Sequence, residues 1–291
     1  MCVNRNQRTI AAPVAVEGVG YWSGRDVRVE FRPASPNTGI VFVRADLPDS
    51  PRIPATVKHR VEIPRRTVLQ RGEASVEMVE HIMAALSGLQ IDNCELWVNQ
   101  PEMPGCDGSS QPFVDAVGSV GAVEQNAPRQ CVVIQHPIRM GDASSWIEAR
   151  PCSSGKTILH YELDYGSGSP IGRQSLEISL SPRHFHMNLA PSRTFVLEAE
   201  AAAIKAQGLG QRATFKDLLV FGSRGLIDNV LRFPDECVRH KMVDMVGDLA
   251  MAGCDLIGRI TAYRSGHRLN AELVQAILDQ AERHEGFKRC A

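Results

Sequence analysis

Apolar and polar positions alternate with period two in Val27-Arg28-Val29-Glu30-Phe31, and the run Gly39-Ile40-Val41-Phe42-Val43 follows a Pro-Asn turn cluster. Both predict strands. Over 76–89 the period lengthens: Val76, Val79, Met83 and Leu86 recur at three- and four-residue spacing and Gly88 marks an end, which predicts a helix. A short strand over 94–99, a Pro- and Gly-rich loop over 101–110 and a second helix over 111–120 follow. The polar stretch around 124–130, with Pro128, is the candidate linker. Beyond it the pattern predicts strands near 131–134, 146–149, 157–161 and 176–180, then helices at about 197–207 and 235–252. A strand at 256–263 and a helix from about 270 to 284 close the chain. Strands then helices in each half predict an α+β fold of two domains, 1–126 and 127–291.

Composition changes this picture little. The 291 residues are 43% hydrophobic and 22% charged, enough to bury a sizeable core. A net charge of −1 removes the electrostatic reason to expect nucleic acid as a partner. No apolar run approaches the ~20 residues that span a bilayer, so no transmembrane segment is predicted. The polar start of the chain lacks the apolar centre of a secretory signal, and the expected location is cytoplasmic. Eight scattered cysteines form no Cys-x-x-Cys pair and read as reduced, packed thiols.

Candidate chemistry concentrates on the helix over 235–252. At 100° per residue, Val238, Met242, Met245, Val246 and Leu249 form a core-facing stripe. His240 and Asp244 lie away from it, one turn apart, with Asp248 next in the same row. An imidazole and a carboxylate so spaced can share a metal ion, although a solvated polar row is the commoner meaning of the pattern. Glu80-His81 is a second carboxylate–imidazole pair, early in an apolar helix; a ligand beside a non-ligating carboxylate suits metal-assisted hydrolysis. His267, in Ser265-Gly266-His267 after a strand, is either a cleft residue or a surface one. Thr194, in Ser192-Arg193-Thr194-Phe195, is either a site residue or a helix cap. His184-Phe185-His186 reads as an exposed strand with two imidazoles on one face. Gly18 to Gly24 reads as a turn, lacking both nucleotide-binding fingerprints. The 105–110 loop has the Asp and Gly of a tight turn.

Taken in order, Val79-Glu80-His81-Ile82-Met83-Ala84-Ala85-Leu86, Ile91-Asp92-Asn93, Asp107-Gly108-Ser109, Arg193-Thr194-Phe195, Leu231-Arg232-Phe233, Val238-Arg239-His240-Lys241, Gly247-Asp248-Leu249 and Ser265-Gly266-His267 resemble the UDP-3-O-acyl-N-acetylglucosamine deacetylases of lipid A synthesis. The resemblance implies two β-α-α-β domains packed through their helix layers between two outer sheets. It implies one zinc ion on His81, His240 and Asp244, with Glu80 as general base. It further implies His267 as the cationic acid charged by Asp248, and Thr194 and Lys241 as polar contacts to oxyanion and substrate. Phe195, Arg264 and Gly266 become substrate contacts, and 195–210 an acyl-chain passage. The substrate implied is an acylated UDP-sugar. Met78, Trp22, Cys106 and the stretch 212–222 depart from the family pattern. Those at Trp22 and in 212–222 leave room for a related amidohydrolase on another acylated sugar nucleotide. An inactive zinc module or a metal-free sugar-nucleotide binder is disfavoured by the retained acid, base and ligands.

Overall fold

The computed structural model describes residues 5–283 and the strand Phe287–Arg289. Six helices lie among the described residues: α1 (Glu80–Gly88), α2 (Gln111–Val120), α3 (Pro182–Asn188), α4 (Glu198–Ala206), α5 (Glu236–Leu249) and α6 (His267–Arg283). The first half of the chain builds a five-stranded sheet in the order Val14–Val19, Asp26–Pro33, Cys94–Val98, Ile40–Arg44, Arg52–Pro54. The second half builds a seven-stranded sheet around Asp255–Tyr263, which pairs with Trp146–Arg150, Thr157–Asp164 and Gln130–Val133. Between the sheets α1 packs on α2 and α5, and α5 on α6; α2 also touches the first sheet, while α5 and α6 touch the second. The architecture is α+β, with α1, α2, α5 and α6 as a shared inner layer.

The predicted strands at 27–31, 39–43, 94–99 and 146–149 and the helix at 111–120 are present within a residue or two. Other elements differ, each for a local reason. The helix expected over 76–89 starts only at Glu80: Val76 belongs to the strand Ala74–Glu77, and Met78 has φ +61°, which a helix cannot contain. Two valines three apart mimicked a helical face. The expected linker is the strand Ala122–Pro128, paired antiparallel with Asn6–Ile10, a partner more than a hundred residues away that no local pattern reveals. His184-Phe185-His186 lies on α3 rather than a strand; Ser181 caps that helix by accepting the His184 N–H at 3.2 Å, and Pro182 opens it. The last helix begins three residues early, at His267; its expected end, His284, lies outside the described residues. Cys94, Cys106, Cys152, Cys237 and Cys254 are free, but Cys131 is disulfide-bonded, because scattered positions do not show which cysteines a fold brings together.

The core positions the site through a close helix crossing. Every residue of α1 except Ser87 is buried, as expected of a helix with other elements on all sides. At Gly247 of α5 an added Cβ would lie 2.0 Å from the Glu80 carbonyl oxygen, so the first turn of α1 rests directly on the α5 backbone. At the other end of α1, Gly88 leaves the space that the ring of Phe185 fills. A β-α-β insert stands beside this crossing: Phe195–Leu197, then α4, none of whose residues is buried, then the buried strand Leu219–Gly222 parallel to the first. Among the described residues, no helix is long and apolar enough to cross a membrane.

Candidate metal centre and active site

The polar row of α5 faces inward, not toward water. His240, Asp244 and Asp248 are 3%, 4% and 0% exposed, and the α1 crossing covers them with His81, 7% exposed. Asp244 Oδ1 lies 3.4 Å from His240 Nε2 and 3.5 Å from His81 Nε2, with the two imidazoles edge to face at 4.9 Å. These separations are long for hydrogen bonds. They match the edge of a tetrahedron, about 3.3–3.6 Å, around an ion with bonds of about 2.0–2.2 Å. His240 Nδ1 donates to the Ser192 carbonyl at 3.1 Å, which leaves the Nε2 lone pair facing the cluster. Burial pushes the His240 pKa down to about 4, so the ring is neutral, as a ligand requires. The donor set fits a metal ion. His81, His240 and Asp244 form a metal-capable cluster.

Asp244 Oδ2 receives the Lys241 ammonium at 2.6 Å, so the two carboxylate oxygens have separate partners. Burial opposes charge on Asp244, yet Lys241 and the imidazoles hold its pKa well below the usual carboxylate range. Glu80, beside His81, is 3% exposed and accepts the Thr67 N–H at 3.1 Å; burial raises its pKa, partly opposed by His267 and His81. Asp248 Oδ2 accepts from His267 Nδ1 and from Asn270 Nδ2, both at 2.8 Å, and its Oδ1 accepts the Thr67 hydroxyl at 2.7 Å. Burial alone would lower His267, but Asp248, with Glu80 and Asp244, outweighs it and lifts the imidazolium pKa to about 9. A carboxylate kept uneasy by burial therefore stands near an imidazolium that stays protonated at neutral pH.

These groups open into a cavity of about 1150 Å³. Glu80, His81, His240, Lys241, Asp244, His267, Thr194, Phe195 and Gly266 all line it. Arg264 does not: it is exposed at the end of its strand, and Arg268 of α6 lines the cavity instead. Thr194 is no helix cap; its N–H donates to Gly108 at 2.7 Å, just before the insert's first strand. Phe195 stands edge-on to His240 at 6.1 Å and to Tyr165 at 5.8 Å, carrying an apolar wall up to the cluster. That wall continues through Val196, Ala201, Ile204, Leu218 and Val220 of the insert. Trp22 and Met78, two departures from the family pattern, meet on the cavity wall, with the indole N–H 3.1 Å from the Met78 sulfur. The 105–110 loop is a turn: Asp107 Oδ1 takes the Ser109 N–H and hydroxyl, and Oδ2 takes Arg232.

Sequence reasoning missed Thr67, Asn270 and Ser192, whose contacts come from a distant strand, the next helix and a loop carbonyl. It also missed Glu102, 0% exposed, which accepts the Trp22 and Ser23 N–H groups at 2.7 and 2.8 Å and pins the turn after Val19; of the turn expected over 18–24, Gly18 and Val19 belong to the strand Val14–Val19 instead. The buried pair Arg193–Glu236, at 2.8 Å, ties Thr194 and Phe195 to the start of α5. None of these carries a local sequence signal beyond a polar residue type.

Two imidazoles and a carboxylate that could hold a metal ion, converging beside a second buried carboxylate, form the kind of site that metal-assisted hydrolysis requires. Comparison with known proteins narrows this. Residues 7–279 match the family model described as UDP-3-O-acyl N-acetylglycosamine deacetylase. Relatives named UDP-3-O-acyl-N-acetylglucosamine deacetylase from Brucella ovis, Brucella canis and Brucella melitensis are each 40% identical over 278 residues, 95% of this chain and 96% of theirs. The chain belongs to the UDP-3-O-acyl N-acetylglycosamine deacetylase family.

Proposed function

We propose that the protein removes the N-acetyl group of UDP-3-O-acyl-N-acetylglucosamine by zinc-dependent hydrolysis, releasing acetate, as a step of lipid A synthesis. The observation that carries this reading is the buried cluster of His81, His240 and Asp244, with Glu80 and His267 beside it, at one end of an apolar-walled cavity. Zinc held by the three ligands would polarise the acetyl carbonyl and bring the pKa of water toward about 7. Glu80 takes the proton of the attacking water as the new C–O bond forms. His267, held in tautomer and charge by Asp248, stabilises the developing oxyanion and gives its proton to the amide nitrogen as the C–N bond breaks. Acetate and a free amino-sugar result. Thr194 and Lys241 contribute polar contacts to the oxyanion and substrate, and Lys241 also holds Asp244 to one face of the cluster. Phe195 and Gly266 contact the substrate, and Arg264 serves the nucleotide phosphates from outside the cavity.

The insert wall suits a fatty chain, each buried methylene contributing roughly 0.8 kcal/mol. The cytoplasmic location and the two-domain division at 126/127 are part of this reading. The test is a zinc assay and an acetate-release assay on the 3-O-acylated UDP-sugar beside its unacylated counterpart. Stoichiometric zinc without acetate release sinks the enzyme reading; equal rates on the two sugars sink the acyl-chain role of the insert.

A further inference from the structure

We propose that Thr67 is a positioning residue that sets Glu80 and Asp248 relative to one another, and through Asp248 the orientation of His267. The inference rests on the hydrolase reading above and deepens it. Glu80 and Asp248 sit on different helices, α1 and α5, and one residue on a third element touches both. Thr67 lies on the strand Arg66–Arg71, 1% exposed. Its N–H donates to Glu80 Oε2 at 3.1 Å and its hydroxyl to Asp248 Oδ1 at 2.7 Å. An ionised carboxylate only accepts, so the hydroxyl proton is committed to Asp248. The other oxygen, Oδ2, is taken by His267 and Asn270, so the Thr67 hydroxyl decides how the carboxylate plane is turned toward the imidazole. A β-branched side chain with few χ1 options, held in a paired strand, is a stiff anchor for that bond.

The same hairpin gives this anchor a link to substrate. Ile63 and Pro64, just before it, line the cavity, so the wall that substrate meets and the residue holding both carboxylates are one short piece of chain. Thr67 itself does not line the cavity. A hydroxyl needed only for burial would be satisfied by any nearby carbonyl; this one is placed on the carboxylate that holds His267.

The experiment compares Thr67→Val, which keeps shape and backbone N–H but removes the hydroxyl, with Thr67→Ser, which keeps the donor. Four quantities are read on the zinc-loaded protein: kcat and KM for acetate release, zinc content, and the proton resonance of the His267 Nδ1–H. Expected for Thr67→Val is a kcat 10- to 100-fold lower with KM little changed, the range seen when an outer hydrogen bond to an active-site group is lost. Zinc stays stoichiometric and the His267 resonance moves. Thr67→Ser recovers most of kcat and the parent resonance. A Thr67→Val protein with parental kcat and an unmoved resonance overturns the proposal. So does a Thr67→Ser protein as slow as Thr67→Val, since the retained hydroxyl would then fail to restore the rate. Should Thr67→Val not fold, Thr67→Ala is read against Thr67→Ser by the same criteria. If the parent releases no acetate, the hydrolase reading falls, while the resonance still decides whether Thr67 orients the Asp248–His267 pair.

Discussion

Adding one methyl group at Gly247 should damage the site from behind, without touching a ligand. A Cβ there would sit 2.0 Å from the Glu80 carbonyl oxygen, 2.8 Å from its carbonyl carbon and 3.1 Å from its Cα. All three are backbone atoms, so no rotamer change relieves the overlap. Reaching even a tight 3.0 Å contact requires the first turn of α1 to retreat by 3.0 − 2.0, about 1 Å. His81 travels with that turn, while His240 and Asp244 stay on α5. The His81–Asp244 separation of 3.5 Å then departs from a tetrahedral edge by several times the ±0.2 Å that a metal–ligand distance tolerates. Misplacement of this size costs on the order of 10²-fold in rate, and the overpacking about 1–3 kcal/mol in stability. Elsewhere in a helix interior, glycine to alanine stabilises by up to about 1 kcal/mol, so the sign itself is diagnostic. Gly247→Ala is to be assayed by thermal unfolding, by zinc competition against a chelator and by acetate release. A variant that is more stable than its parent, binds zinc as tightly and turns over within twofold refutes the reasoning.

Three further outcomes follow from named contacts. In its proposed role as the acid His267 must be protonated, and its pKa lies at about 9, so activity should hold to that pH and fall above it. In Asp248→Asn the fall should begin at lower pH, nearer the ordinary histidine value of about 6.5; an alkaline limb that stays put argues against the pair in a pH–rate profile. His81→Ala removes one of the three proposed ligands and should weaken zinc binding by more than tenfold, read by chelator competition, with unchanged affinity counting against it as a ligand. Arg193→Met leaves Glu236 buried without its partner at 2.8 Å and should cost about 3–5 kcal/mol in denaturant unfolding. A loss under 1 kcal/mol would mean that the carboxylate finds other compensation.

Much of the fold was legible because local patterns carried it. The strands Asp26–Pro33 and Trp146–Arg150 alternate cleanly, and α2 has its Pro near the start and Gly121 at its end. Misreadings occurred where a local pattern is ambiguous or its cause is remote. The strand-to-helix change at Met78 hides within a single apolar rhythm, and Ala122–Pro128 looks like a linker until Asn6–Ile10 lies beside it. On α5 the i, i+4 spacing put His240 and Asp244 in one row, but spacing cannot say whether a row faces water. The α1 crossing at Gly247 buried that row, because only glycine lets two backbones come so close.

The sequence by itself determined the alphabet of the site: which imidazoles and carboxylates share a helix face, which Glu precedes which His, and the family in whose order they run. Tertiary structure alone decided the rest. It put His81 within 3.5 Å of Asp244 across a separation of 163 residues, turned the α5 row inward and gave Asp248 three partners from two other elements. The physical reason is that helical spacing constrains neighbours one turn apart, whereas distance between elements, burial and the pKa shifts they cause are properties of packing.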